Sequence, residues 1–133
     1  MEFAEERRFV QSFIRKERRE RLLYELTNRG KRYDGLSRFC HNAGDLLDPK
    51  RIVMEGEDLE RRAEFSHFAE EHKGQCLVLS PDIYLYGEHM DLKTAVEEAL
   101  QNPDAVLILG QGFALVFGEV MKGGRGKYLL SER

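Results

Sequence analysis

The sequence predicts an α+β fold in which N-terminal helices pack on a mixed sheet of about four or five strands, followed by a C-terminal antiparallel meander. Apolar residues recur at helical spacing in the first half of the chain, whereas short apolar runs bounded by Gly and Pro dominate the second half. The chain of 133 residues has the length of one domain. Its hydrophobic fraction of 41% is sufficient to form one core.

The first predicted element is a basic helical arm over residues 1–28, which is long or broken. Residues 3–28 are rich in Glu, Arg and Leu and contain no Gly or Pro. Two apolar stripes lie on roughly opposite sides of this helix, so a straight helix cannot turn both towards one core. Either the helix breaks near residues 15–21, or the first stripe docks on a partner, most simply a second copy of the chain. The first stripe comprises Phe9, Val10, Phe13 and Ile14, and the second comprises Leu22, Leu23 and Leu26.

Two further helices are predicted before the main strands. Residues 34–47 follow a helical apolar period, with Asp34 as the capping residue. Residues 57–73 form the next helix and end at Gly74. Residues 51–55, between these helices, are predicted as a short strand.

The second half of the chain predicts a β-α-β unit that leads into the meander. Apolar strands at residues 75–80 and 104–109 flank a helix over residues 91–102, which favours a right-handed crossover and parallel strands. Residues 83–86 are predicted as a loop or a short edge strand. The meander consists of residues 104–109, 113–120 and 128–130.

Charge is distributed unevenly along the chain. Residues 7–32 hold ten Arg or Lys and three Glu, a net charge of +7, whereas residues 33–121 hold seven basic and seventeen acidic residues, a net charge of −10. The two segments could neutralise each other in the fold, or the basic segment could form an anion-binding face. The candidate anion or nucleic-acid contacts are Arg15, Lys16, Arg18 and Arg19 in the arm, and Lys122, Arg125 and Lys127 in a Gly-rich turn. Glutamates interrupt the basic run, and the pI of ≈ 5.8 is far below that of a typical nucleic-acid-binding domain.

No pattern in the sequence identifies a catalytic, metal or cofactor site. The glycines fit neither a dinucleotide-binding fingerprint nor a P-loop. Cys40 and Cys76 lie in apolar stretches, which predicts reduced core residues. One polar helix face could support acid–base chemistry, because a carboxylate beside an imidazole can tune a general base, although charged outer faces are common on amphipathic helices. This face comprises Asp34, Arg38, His41 and Asp45.

The longest apolar runs, residues 105–109 and 113–117, are far shorter than the ~20 residues that span a bilayer. The chain begins with acidic residues, where a signal peptide needs positive charge. We therefore expect a cytoplasmic protein without a membrane segment.

These observations favour a small, non-enzymatic interaction or assembly protein that binds a protein partner and forms a homodimer. The alternative is sequence-tolerant nucleic-acid binding by the basic helix and the Gly-rich turn. A second alternative is a small enzyme whose site lies in a crevice beyond Ser80 and Gly110, at the carboxyl ends of the predicted parallel strands.

Overall fold

One antiparallel sheet forms the centre of the fold in the computed structural model, which describes residues 3–81 and 87–132. These residues form the strands β1 (Ile52–Glu55), β2 (Gln75–Leu79), β3 (Glu88–Asp91), β4 (Val106–Gly110), β5 (Phe113–Phe117) and β6 (Lys127–Ser131). The strand order is β1-β6-β5-β4-β2-β3, and every neighbouring pair is antiparallel. The α+β class is confirmed. The prediction of a mixed sheet with about four or five strands is wrong, because the sheet has six strands and its neighbouring strands are all antiparallel.

Helices cover both faces of this sheet. On one face lie α1 (Ala4–Phe13), α2 (Arg19–Leu26), α3 (Arg32–His41) and α4 (Ala43–Leu46), and on the other lie α5 (Ala63–Glu71) and α6 (Leu92–Gln101). Strand alternation supplies both cores, because Leu77 and Leu79 pack with α1–α4 while Cys76 and Val78 pack with α5 and α6. Within residues 3–81 and 87–132, no helix is long and apolar enough to cross a bilayer.

The predicted β-α-β unit exists in a different form. β2 pairs with β4 in the antiparallel sense, because the chain first returns through β3 and only then enters α6. β3 and β4 consequently run in the same direction with β2 between them, which is a split β-α-β arrangement. The prediction that residues 75–80 and 104–109 are parallel is therefore wrong. Residues 83–86, predicted as a loop or edge strand, lie outside the described residues.

The N-terminal arm is broken at Ile14 and Arg15, whose backbones are extended. Ile14 bridges to Leu47, and the Arg15 amide donates a hydrogen bond of 2.8 Å to the carbonyl oxygen of Leu46. Because the chain changes direction at this break, the apolar side of α2 faces the same core as the apolar side of α1. Phe9, Val10, Phe13 and Ile14 are each at most 2% exposed there. Of the two alternatives, the structure shows the broken helix on one core, and the first stripe is not available to a second subunit.

The helix predicted over residues 34–47 is also divided, at Asn42, into α3 and α4. α3 packs closely on α2, since a Cβ atom at Gly35 would lie 2.5 Å from the Cβ of Glu25. Glycine at this position therefore allows the two helices to approach each other.

Candidate functional site

The residues of the predicted polar face do not form one site. His41 Nδ1 lies 2.8 Å from a carboxylate oxygen of Glu119, which follows β5. Arg38 pairs instead with a glutamate of α2. Asp34 and Asp45 are exposed, and the break between α3 and α4 separates Asp45 from the helix that carries the others. The predicted face required a continuous helix, which the structure does not have.

The Gly-rich turn directs one of its cations into the fold. Arg125 is buried, and its guanidinium donates hydrogen bonds to the carbonyl oxygens of Gly118 (2.6 Å), Ala99 (2.7 Å) and Asp104 (2.8 Å). It also lies 5.3 Å from the centre of the Phe117 ring, within the range of a cation–π contact. Burial lowers the pKa of this guanidinium. Its donors serve the fold and do not face an external anion.

Lys127 is the second buried cation of this turn. Its ammonium lies 2.8 Å from a carboxylate oxygen of Glu60 and donates a hydrogen bond of 2.7 Å to the carbonyl oxygen of Glu57. Lys122 is exposed. Of the three cations predicted to contact an anion here, the structure leaves Lys122 at the surface and turns the other two inward.

The four predicted cations of the arm divide in a similar way. Arg15 and Arg19 are half-buried, and each donates through Nε to a backbone carbonyl oxygen, at 3.1 and 2.9 Å. Lys16 and Arg18 are exposed. Within the described part of the chain, neither of these two pairs with a carboxylate.

Exposed cations and tyrosines occur on α2 and α3 and in the segments that join α1, α2 and α3. Tyr24 on α2 and Tyr33 on α3 are each 58% exposed. Glu17 and Glu20 are exposed between the cations of the arm. We call this region the basic helical surface, defined by Lys16, Arg18, Arg21, Tyr24, Lys31 and Tyr33.

The two cysteines are unsuited to nucleophilic chemistry. Burial raises the pKa of Cys40 to about 12 and that of Cys76 to about 11. Both thiols are therefore protonated at neutral pH, whereas the thiolate is the reactive form. The predicted role as reduced core residues fits a buried Cys76 and a half-buried Cys40.

A cavity of about 720 Å³ opens at the end of the sheet where α5 ends and β2 begins. Four parts of the chain meet there: Arg8 of α1, residues 71–76, the turn at Gln111 between β4 and β5, and Glu132 after β6. A neighbouring cavity of about 270 Å³ shares Arg8, Gln111 and Glu132.

The predicted crevice beyond Ser80 and Gly110 is not formed. The register pairs Leu79 with Leu107, which leaves Ser80 and Gly110 at opposite ends of the antiparallel strands. Ser80 is buried and donates a hydrogen bond of 2.7 Å to the carbonyl oxygen of Ala105. Gly110 lines the 720 Å³ cavity without Ser80.

An ion pair closes one side of this cavity. Arg8 donates two hydrogen bonds to the carboxylate of Glu132, from Nε at 2.8 Å and from Nη2 at 2.9 Å. Ser12 donates a third to the same carboxylate, at 2.9 Å. The hydrogen bonds from Arg8, above all, lower the pKa of Glu132 to about 2. Glu132 is therefore ionised at neutral pH, and Arg8 neutralises its charge.

His72 forms part of another side. Its Nδ1 lies 2.9 Å from the carbonyl oxygen of Phe68, and this oxygen can only accept, so Nδ1 carries a hydrogen. The imidazole stacks on the Phe68 ring at 4.0 Å and meets the edge of Phe113 at 5.1 Å. The hydrogen bond and the two ring contacts fix the position of the imidazole. Nε2 is the other nitrogen of the ring.

Comparison of the chain with protein-family models, curated protein sequences and solved structures finds no match. Within the described ranges, no group of three His, Cys, Asp or Glu side chains could hold a metal ion.

Sequence reasoning did not find the cavity. Arg8 and Glu132 are 124 residues apart, so no local spacing relates them. His72 follows the helical apolar period of α5, which predicts a packed histidine. Its contacts with Phe68 and Phe113 fit this packed role. Its position at the cavity follows from the sheet topology, which brings the Gln111 turn and Glu132 close to the end of α5.

Proposed function

We propose that the chain is a non-enzymatic interaction protein whose basic helical surface binds an acidic segment of a partner protein. One observation supports this most: the exposed cations Lys16, Arg18 and Lys31 have no carboxylate partner within the described residues, and two exposed tyrosines share their layer. Tyr and Arg are enriched in protein interfaces and at their energetic centres.

The opposite helical layer carries the contrary charge. Its exposed carboxylates are Glu64, Glu70 and Glu71 on α5, and Glu97 and Glu98 on α6. The sheet thus separates a basic from an acidic layer. Such a charge distribution guides an acidic partner towards α1–α3 and repels it from α5 and α6.

A protein partner fits this surface better than a nucleic acid does. Glu17 and Glu20 lie among the cations and would repel the closely spaced phosphates of a nucleic acid. A protein segment can place neutral or basic residues opposite them. Arg125 and Lys127 face inward, so the Gly-rich turn adds little charge to a nucleic-acid surface.

The protonation of the two cysteines and the position of His41 also favour a binding role over catalysis. Both cysteine thiols are protonated at neutral pH, and His41 pairs with Glu119 at the surface instead of activating a neighbouring nucleophile. Self-association stays a prediction, and because the apolar stripe of α1 is buried, it requires another surface.

The test measures binding of a fluorescent, Glu-rich peptide that contains two leucines, by fluorescence anisotropy at ~0.15 M salt. The variant Lys16→Glu/Arg18→Glu/Lys31→Glu should raise the Kd at least ~10-fold. A matched control, Lys50→Glu/Lys93→Glu/Lys122→Glu, makes the same change of charge at exposed positions elsewhere and should leave the Kd nearly unchanged.

A labelled duplex DNA, measured under the same conditions, distinguishes the two partner classes. Tighter binding of DNA than of the peptide would overturn the proposal in favour of nucleic acid. Equal effects of the two triple variants, or no peptide binding to the unaltered protein, would also overturn it.

A further inference from the structure

The cavity beside the Gln111 turn has the size of a small-molecule site. Its volume of about 720 Å³ lies within the range of ~300–1,000 Å³ that is usual for such sites. None of the residues that define the basic helical surface lines this cavity, so a role for the cavity goes beyond the function proposed above.

The charges that line the cavity balance each other. Arg8 and Glu132 neutralise each other by their two hydrogen bonds. Glu71 and Lys73 remain, two residues apart at the end of α5, and both are exposed. Lys73 lies 3.5 Å from a carboxylate of the preceding turn, with both side chains at least 75% exposed, so this pair is weak. The lining therefore offers one carboxylate and one ammonium group near the end of α5.

Two amides add hydrogen-bonding capacity that the protein does not use. Gln75 and Gln111 are exposed at the cavity, and their side chains form no hydrogen bond within the described residues. Each amide can donate and accept. A ligand with both a cationic and an anionic group can therefore be bound without leaving either charge unpaired.

An apolar wall lies beside these polar groups. Phe68 meets Phe113 edge to face at 4.9 Å, and the His72 ring stacks on Phe68. Phe68 and His72 line the cavity and are half-buried, whereas Phe113 is 3% exposed, so an apolar or aromatic ligand group would pack against the Phe68 and His72 rings. We propose that this cavity binds a free amino acid with an apolar or aromatic side chain. Its ammonium group faces Glu71, its carboxylate faces Lys73, and its side chain packs on the Phe68 and His72 rings.

The experiment is isothermal titration of the full chain with three compounds that share one ring. L-Phenylalanine carries both charged groups, 3-phenylpropanoate lacks the ammonium group, and 2-phenylethylamine lacks the carboxylate. We expect L-phenylalanine to bind at least ~10-fold more tightly than either analogue. No detectable binding of L-phenylalanine, or equal binding of either analogue, would overturn the proposal.

Two exposed substitutions assign the groups. Glu71→Gln should abolish the preference for L-phenylalanine over phenylpropanoate, and Lys73→Gln should abolish the preference over phenylethylamine. Glu98→Gln and Lys93→Gln make the same changes on α6, away from the cavity, and should leave both preferences intact. Loss of preference in these controls, or its retention in both cavity variants, would contradict the assignment.

Discussion

The guanidinium of Arg8 and the carboxylate of Glu132 form two parallel hydrogen bonds that join α1 to the residue following β6. This contact links α1 to the end of the sheet and forms one side of the cavity. Paired geometry of this kind is stronger and more directional than a single contact.

The Arg8–Glu132 pair makes stability depend on pH. The pKa of Glu132 is about 2 in the fold, below the value of ~4.3 for a free glutamate. A depressed folded-state pKa means that the pair stabilises the fold above pH ~4.3 and that this contribution is lost as the pH falls towards 2. Urea unfolding at several pH values should show Glu132→Gln less stable than the unaltered protein at pH 7, with the difference shrinking below pH ~4. A difference that is independent of pH would contradict this assignment, and Glu98→Gln serves as the exposed control.

Arg125 should contribute strongly to stability. Arg125→Met removes the donors to three carbonyl oxygens, of which that of Ala99 belongs to the last turn of α6. We expect a loss of about 3 kcal/mol in the free energy of unfolding, since three hydrogen bonds from a charged, buried donor group are removed at once. Lys122→Met, in the same turn but exposed, should change it by less than ~0.5 kcal/mol. Similar effects of the two substitutions would show that Arg125 does not hold this region together.

The first helix should be required for folding of the isolated chain. Phe9 is 2% exposed and meets the edge of Phe39 at 5.4 Å, so Phe9→Ala should cost about 3–5 kcal/mol of unfolding free energy. Tyr24→Ala, at an exposed position of the same layer, should cost less than ~0.5 kcal/mol. Urea denaturation measures both. A folded, equally stable protein after removal of residues 1–14 would refute the burial of this stripe.

The cysteines should react slowly in the native protein. Because burial raises the pKa of Cys40 to about 12 and that of Cys76 to about 11, little thiolate is present at pH 8. A chromogenic disulfide reagent should therefore modify both only slowly, and rapidly after unfolding in guanidinium. The variant Cys76→Ser isolates Cys40. Fast modification of either thiol in the folded protein would contradict the predicted burial.

The sequence predicts α6 well because local signals agree. Asp91 accepts a hydrogen bond of 2.7 Å from the amide of Thr94, as expected of a capping residue, and the apolar period of the helix matches its buried face. The strand before it was missed, since only Met90 among its residues is half-buried. An edge strand of this kind lacks the apolar alternation that identifies strands. If β3 is left out, α6 would connect β2 directly to β4, which predicts that these two strands are parallel.

The charged sites show a different limit. Spacing placed Arg125 and Lys127 in a Gly-rich turn that suggested phosphate binding, but three of the acceptors they use lie at Ala99, Asp104 and Glu60, far away in sequence. Lys16 and Arg18, in a charged run without apolar residues, are exposed, and their contact with an anion stays a prediction. The local pattern does not separate these two cations from Arg15 and Arg19 of the same run, which donate hydrogen bonds to backbone carbonyl oxygens.

The place of β6 has a consequence for synthesis on the ribosome. Leu130 pairs with Ile52 on one side and with Ala114 on the other, so β6 lies between β1 and β5. While residues 127–131 are still inside the exit tunnel, β1 has no neighbouring strand in the sheet. The apolar side of α1 then also lacks Leu130, which belongs to the same core. β1 and the apolar side of α1 can therefore complete their packing only after residues 127–131 have emerged, and the hydrophobic side chains near the start of the chain stay exposed until then.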